Sequence, residues 1–332
     1  MYKDELKYNY VIFGAIDDFV VAAFSDLIGI PGIRIMPPSL DCKSHFLNLL
    51  YRLHFTPFLN KKRGLPFKGI WNSKLFKNTF TDNKPICFVF YGRYCRYPKS
   101  FLEYLSKHYP SCKFVVYHDD IAKSNYGMFD CELKAKIHLF ITYDFERSLK
   151  DNCLYYPTVY SRIRVEPDDG VVIPQSDVYF LGRGKNRIKY IVSLYKKLSG
   201  LGLKCDFNLL DVPIEMQEDI GIHYLKRKMD YTTNIRHIMA TKCVVDITQD
   251  GSSGFTYRVW EAIAYDKHLI SNNEKLTSSI YFDSVFVHFF NNVDSITSDF
   301  CDAIANKIIN DKKHLISPKR FISFIDEHLS DE

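Results

Sequence analysis
The sequence predicts an α/β protein built from two Rossmann-like, doubly wound domains that face each other across a cleft. Three observations carry this expectation. The 332 residues are too many for one ordinary core and suit two of middling size. Short apolar runs alternate with helix-periodic segments in both halves, the pattern of parallel sheets covered by helices. Between the halves, residues 152–175 lose periodicity and collect Pro157, Pro167, Asp168-Asp169-Gly170 and Pro174, a linker composition. Domains are therefore expected at 1–160 and 171–315, with a final helix in 316–332.

The elements follow in order. In the first half, residues 10–13, 33–36, 86–91, 114–117 and 137–142 are short and mostly apolar on both faces, as strands of a buried parallel sheet should be. In the second half a strand at 178–181 runs into a Gly182-Arg-Gly-Lys185 turn. A helix over 187–198 then places Ile188, Ile191, Val192, Tyr195 and Leu198 on one face. A strand at 205–210, a helix at 232–240 and a strand at 243–247 come next. A Gly/Ser turn leads to a helix over 255–265, strands at 268–271 and 285–289, and helical segments at 296–310 and 318–329.

Composition narrows the function. With 46% hydrophobic and 25% charged residues and a mean hydropathy of −0.17, disorder, collagen-like repeats and a multi-span membrane protein are excluded. A net charge of +5 over so long a chain does not mark a nucleic-acid binder. The aromatic share of 15% suits sites that stack rings against sugars or touch lipid. Asp17-Asp18 interrupts the first apolar stretch, so neither a signal peptide nor a spanning helix is expected there. Lys3-Asp4-Glu5-Leu6 spells a retrieval signal that is read only at a C-terminus. The nine cysteines are scattered, with no Cys-x-x-Cys pair, which predicts reduced thiols and a cytoplasmic protein rather than a disulfide scaffold or zinc site.

The most informative stretch runs from Val244 to Ala262. A buried strand enters Gly251-Ser-Ser-Gly254 and a helix begins at once. Small residues let the backbone approach a ligand, and the N–H groups of a first helical turn suit a phosphate or diphosphate. Glu261 stands two turns further on, where a carboxylate can accept both hydroxyls of a ribose. The competing reading is a plain strand–turn–helix corner with a solvated Glu.

This stretch resembles the nucleotide-sugar site of glycosyltransferases with the two-Rossmann GT-B fold. It is most similar to bacterial transferases of capsule and lipopolysaccharide O-antigen assembly. There Gly-Phe-Thr-Tyr-Arg-Val-Trp-Glu-Ala is matched by Gly-Leu-Thr-x-Arg-x-x-Glu-Ala. Three further pieces fit: Asp177 to Arg187 resembles the opening of the donor domain, Lys267 to Asn273 resembles a Lys-Leu-Ile-Thr-Asn-Asn segment, and Phe140 to Asp144 with Tyr155-Tyr-Pro157 resembles the close of the first domain. The likeness covers roughly residues 137–290.

The resemblance implies a transferase that moves a sugar from a nucleotide-diphosphate donor, a UDP-sugar foremost, to a hydroxyl of a growing surface glycan or lipid-linked oligosaccharide. The first domain would hold the acceptor and the second the donor, with the last helix crossing back between them. Glu261 would bind the ribose. The backbone at Gly254, Phe255 and Thr256, with the Thr256 hydroxyl, would hold the diphosphate. Gly182, Lys185 and Arg187 follow the first strand of the donor domain, where a cation neutralises the leaving group. Arg258 adds charge there or faces solvent or an acidic partner.

Retaining enzymes of this fold often carry a second Glu eight positions before the ribose-binding one. Here that position is Ser253, which leaves the stereochemistry open. No Asp-x-Asp triplet occurs, so the donor diphosphate is expected to be neutralised by side chains and a helix dipole, without a metal. An inverting reaction needs a base, and Asp17, Asp18, His118 and Asp119 are candidates because they follow expected strand ends. Each has an ordinary alternative as a cap or turn residue.

Residues 51–80 hold seven Lys or Arg and seven aromatics with no Asp or Glu, more than the surplus charge of the whole chain. Such interleaving favours an anionic, partly apolar surface such as a membrane face, and the alternative is packing of the aromatics into the first domain. Other enzyme readings are a nucleotide-sugar epimerase of the same fold and a dinucleotide oxidoreductase. The latter would need Gly where Arg187 stands. A glycan- or nucleotide-binding subunit without catalysis is the remaining reading, kept open by Ser253.

Overall fold
The computed structural model describes residues 5–14, 22–36, 39–56, 58–59, 65–92, 99–118, 136–165, 172–248 and 254–329. The chain divides into two compact units, one of Met1–Pro157 with Pro318–Glu332 and one of Thr158–Ser317. Each contains a six-stranded, wholly parallel sheet, so both halves are doubly wound α/β.

The first unit contains β1 (Asn9–Phe13), β2 (Ile33–Ile35), β3 (Ile86–Tyr91), β4 (Lys113–His118), β5 (Leu139–Thr142) and β6 (Leu154–Tyr155) in the order β2-β1-β3-β4-β5-β6. Alternation along the strands sorts the aromatics by type. Phe13, Phe88, Phe90 and Phe114 form one layer, with Phe13 and Phe90 stacked at 5.2 Å. Helices α1 (His45–Phe55), α2 (Asn72–Leu75) and α3 (Lys99–His108) supply Tyr51, Leu75, Phe101 and Leu105 to this layer. Tyr91 and Tyr117 stack at 4.5 Å on the opposite face, where Phe321 of the C-terminal helix (Pro318–His328) packs 5.3 Å from Tyr117. Helix α4 (Phe145–Asp151), capped by the Asp144 side chain, joins β5 to β6. Much of the aromatic excess therefore builds core rather than ligand sites.

Two details fix this sheet. Asp326 of the C-terminal helix is fully buried and accepts hydrogen bonds from the Tyr10 hydroxyl (2.8 Å) and the Lys7 amide (3.0 Å). Gly14 leaves β1 with φ +97°, and a Cβ there would lie 1.9 Å from the Tyr91 carbonyl oxygen. Only glycine lets the chain turn against the end of β3.

The second unit contains β7 (Ser176–Arg183), β8 (Cys205–Leu210), β9 (His223–Leu225), β10 (Thr241–Asp246), β11 (His268–Ser271) and β12 (Val287–Phe289) in the order β12-β11-β10-β7-β8-β9. Helix α5 (Ile188–Gly200) lays Ile191, Leu194 and Leu198 on one face, against Val178, Phe180, Phe207 and Val245. Helices α6 (Tyr231–Ala240) and α7 (Tyr257–Ala264) cover the other, with Ile235, Ile238, Val259 and Ile263 against Tyr179, Val244 and Leu269. The shorter helices α8 (Glu274–Thr277) and α9 (Ser298–Ala303) follow.

The structure corrects several element boundaries. The helix expected over 296–310 ends at Ala303, because the backbone beyond it is engaged by side chains: the Asn306 carbonyl bonds His268 Nε2 (2.8 Å) and the Asn310 amide donates to Asp266 (2.8 Å). Helix α7 starts two residues later than expected because Thr256 stays extended and caps it. The two- and three-residue strands β6 and β9 are too short for a periodic signal. The described cysteines, Cys42, Cys87, Cys112, Cys153, Cys205, Cys243 and Cys301, are all free thiols.

Candidate functional site
In the second sheet the chain leaves β7 toward β8 on one side and returns as β10 on the other. The carboxyl ends of β7 and β10 are therefore neighbours that feed loops running in opposite directions. Open α/β sheets bind ligands at such a switch point. One loop is Gly182 to Arg187, tightened by a 3-10 turn over Lys185–Arg187, and the other leads from Asp246 to the start of α7.

The two loops are joined by arginines. Arg187 donates from Nη1 to the Ile247 carbonyl and from Nη2 to the Arg183 carbonyl (3.3 Å). Both acceptors are backbone carbonyls, so the guanidinium is fixed at the junction of the two loops. Arg258, in the first turn of α7, points back toward β7. It donates to the Leu181 carbonyl through Nε (3.1 Å) and Nη2 (2.6 Å), and its guanidinium carbon lies 4.9 Å from the Phe180 ring centroid. Gly182 makes room for this, since a Cβ would approach Arg258 Nη2 to 2.9 Å and the Phe180 ring to 2.8 Å.

Asp246 links the end of β10 to its neighbours. It is fully buried at the end of β10 and accepts from the Thr256 hydroxyl (2.8 Å) and the Ser271 hydroxyl (2.9 Å). Arg258 Nη1 lies 3.7 Å from it. Thr256 also accepts from the Arg258 amide (3.2 Å), so one hydroxyl both caps α7 and ties it to β10. Arg258 thus has an acidic neighbour in Asp246. The Thr256 proton is directed at the Asp246 carboxylate.

Glu261 is buried against α6. Its Oε1 accepts from Asn234 Nδ2 (3.0 Å) and the Tyr231 hydroxyl (3.1 Å), and Tyr231 shares a 2.7 Å hydrogen bond with the Tyr160 hydroxyl. Asn234 is itself oriented by the Tyr179 hydroxyl (2.9 Å). Burial pushes the Glu261 carboxyl up, against the pull of the Arg258 charge and these donors. The solvated Glu of the plain corner reading is thus replaced by a fixed one. Among the described residues Oε2 takes no hydrogen bond.

The remaining expected positions divide by place. Gly254 and Phe255 precede α7, and the Phe255 ring meets Trp260 edge-on at 5.8 Å. Lys185 lies in the 3-10 turn. Ser253, Asp17, Asp18 and Asp119 lie outside the described residues. His118 closes β4 in the other unit, where burial, then the Arg147 charge, push its imidazole down to about 4. So acidic an imidazolium makes a weak base for a hydroxyl.

Asp246, Ser271, Asn234 and Tyr231 were not foreseen. An acid ending the apolar run Cys243-Val-Val-Asp246 is a signal that could have found the first, because a charge at the carboxyl edge of a buried strand faces the ligand side. Asn234 and Tyr231 carry no sequence signal, since their meeting with Glu261 depends on how α6 packs beside α7. Asn272 acts nearby, its Oδ1 accepting from the Thr248 amide (2.8 Å). Among the described residues no group of three His, Cys, Asp or Glu is placed to hold a metal.

No family model and no curated protein sequence matches the chain. Solved structures do match in fold. AviGT4, a glycosyltransferase involved in avilamycin A biosynthesis, aligns with a TM-score of 0.50 at 11% identity, over 74% of this chain and 84% of that one. An α,α-trehalose-phosphate synthase (UDP-forming) from Burkholderia vietnamiensis aligns with a TM-score of 0.47 at 9% identity, over 97% and 95%. With the two parallel-sheet units, the likeness to AviGT4 shows a GT-B fold of two Rossmann-like domains.

Proposed function
We propose that the protein is a glycosyltransferase that takes a sugar from a nucleotide-diphosphate donor, a UDP-sugar in the first instance. It passes the sugar to a hydroxyl of a surface-glycan acceptor of the capsule or O-antigen kind. The supporting observation is the switch point of the second sheet, where Arg187, the start of α7 and the buried Glu261 stand on adjoining elements.

Each residue has a task in this reading. Oε1 of Glu261 is held by Asn234 and Tyr231, so Oε2 is the atom offered to the ribose. The amides at Gly254, Phe255 and Thr256, at the positive end of α7, receive the diphosphate. Arg187 and Lys185 offset the charge that grows on the departing diphosphate, and no metal is required. The acceptor oxygen forms the new bond to the anomeric carbon as the bond to the diphosphate oxygen breaks. In an inverting reaction the acceptor proton passes to Asp18, Asp17 or Asp119, in a retaining one to the leaving diphosphate. The first unit supplies the acceptor side. A glycan built on a lipid carrier puts the reaction at the inner face of the cell membrane. Among the described residues no helix is long and apolar enough to cross one.

The test is a hydrolysis screen over common nucleotide sugars, in chelator. The expected result is release of nucleoside diphosphate from one of them, at least about ten-fold slower in Glu261→Gln. Release from none, or release only after Mn²⁺ is restored, would contradict the proposal.

A further inference from the structure
Helix α1 is apolar on two faces, and the fold covers one of them. Leu47, Tyr51 and Phe55 face the first core, and Asn48 accepts from the Leu40 amide (2.9 Å) on the same side. On the far side Phe46, Leu49, Leu50 and Leu53 follow at i, i+3, i+4 and i+7 and are 67%, 55%, 38% and 48% exposed. A surface helix ordinarily places polar residues there. The chain beyond the helix extends the patch with Phe58, Phe67 and Ile70, all strongly exposed. The segment carrying Phe67 and Ile70 is fixed to the end of α1. Trp71 Nε1 donates to His54 Nδ1 (2.9 Å), His54 Nε2 donates to the Pro66 carbonyl (2.9 Å), and the Lys68 ammonium sits 5.0 Å over the Phe55 ring.

Charge selects the occupant. From residue 42 to residue 81 the chain has eight Lys or Arg and no Asp or Glu. Arg52, between Leu50 and Leu53, is exposed beside the stripe. A second copy docked symmetrically would bring like charges together, whereas anionic headgroups put opposite charge next to an apolar interior. We propose that this face of α1, with Phe58, Phe67 and Ile70, lies in the headgroup–acyl boundary of an anionic lipid bilayer. The apolar stripe enters about 5–10 Å and Arg52 and Lys68 meet the lipid phosphates. The surface is a place of attachment and takes no part in the transfer step.

The experiment is co-sedimentation of the full chain with vesicles of phosphatidylcholine alone or mixed with phosphatidylglycerol, without donor or acceptor. Binding is expected to the mixed vesicles only, weakening with salt. It should fall about ten-fold or more in a Phe46→Ser, Leu49→Ser, Leu53→Ser variant whose circular dichroism is unchanged. A second variant, Arg52→Glu with Lys68→Glu, should lose binding while keeping the apolar stripe. No binding, equal binding to neutral vesicles, or binding unaffected by both variants would overturn the proposal. So would a dimer that dissolves in the serine variant without any vesicle binding, which assigns the face to a second copy. Because neither substrate is present, failure here leaves the transfer reading standing, and failure of the hydrolysis screen leaves this surface standing.

Discussion
At the scale of single residues, Asp246 and Glu261, both buried in the second unit, have different partners. Asp246 stands beside Arg258 and accepts from two hydroxyls, so it ties the end of β10 to the start of α7 and the end of β11. Leaving the guanidinium without its carboxylate in so enclosed a place costs on the order of 3 kcal/mol. Asp246→Ala is expected to lower stability by about that amount in urea unfolding, and an effect under about 1 kcal/mol would show this link to be dispensable. Glu261 has its carboxyl raised by burial, so the folded state favours the proton more than the unfolded state does. Its stabilising contribution is full at low pH and is lost as pH rises above the ordinary carboxyl range. Glu261→Gln should therefore gain stability relative to the parent as pH increases from about 4.5. A difference between the two proteins that stays flat across that range would show that burial does not shift this group. The motif around Glu261 was legible in the sequence, but its anchoring by Asn234 was not, because that contact joins helices far apart in the chain.

At the scale of elements, α7 depends on one cap. Thr256→Ala removes both the bond to the Arg258 amide and the bond to Asp246, and should cost about 1–2 kcal/mol. Thr256→Ser, which keeps the hydroxyl, should restore most of it, and equal losses in both variants would assign the effect to the methyl group instead. Strand β4 ends in His118, kept neutral by burial, with its imidazole lowered from the ordinary 6.5 to about 4. The folded state thus binds fewer protons than the unfolded one between those values. Stability from this group is complete above about 6.5 and is lost as pH falls toward 4, by up to about 3 kcal/mol. His118→Leu should flatten the fall in melting temperature over that window. An unchanged slope would place the acid sensitivity elsewhere, the partly buried His288 being the next group of this kind. Strong apolar strands such as β3 and β10 could be read from sequence because both faces are buried. The end of the 296–310 segment could not, since Asp266 and His268 terminate it from distant positions.

At the scale of the whole molecule, the sequence carried the alternation of strands and helices and hence two parallel sheets, while strand order came only from the structure. That order matters for the proposed donor site, because the neighbouring ends of β7 and β10 bring the Gly182–Arg187 loop beside the start of α7, the helix that carries Glu261. The aromatic excess reads differently in three dimensions: among the described residues, phenylalanines and tyrosines build opposite faces of the first sheet, and Phe46, Phe58 and Phe67 stand exposed on and after α1. The chemistry of donor binding is most directly tested by calorimetric titration with nucleoside diphosphates in the presence of chelator. A GT-B donor site at this switch point predicts that one of them binds the parent protein and binds Glu261→Gln at least about ten-fold more weakly. Binding of none, or equal binding by the parent and the variant, would contradict it.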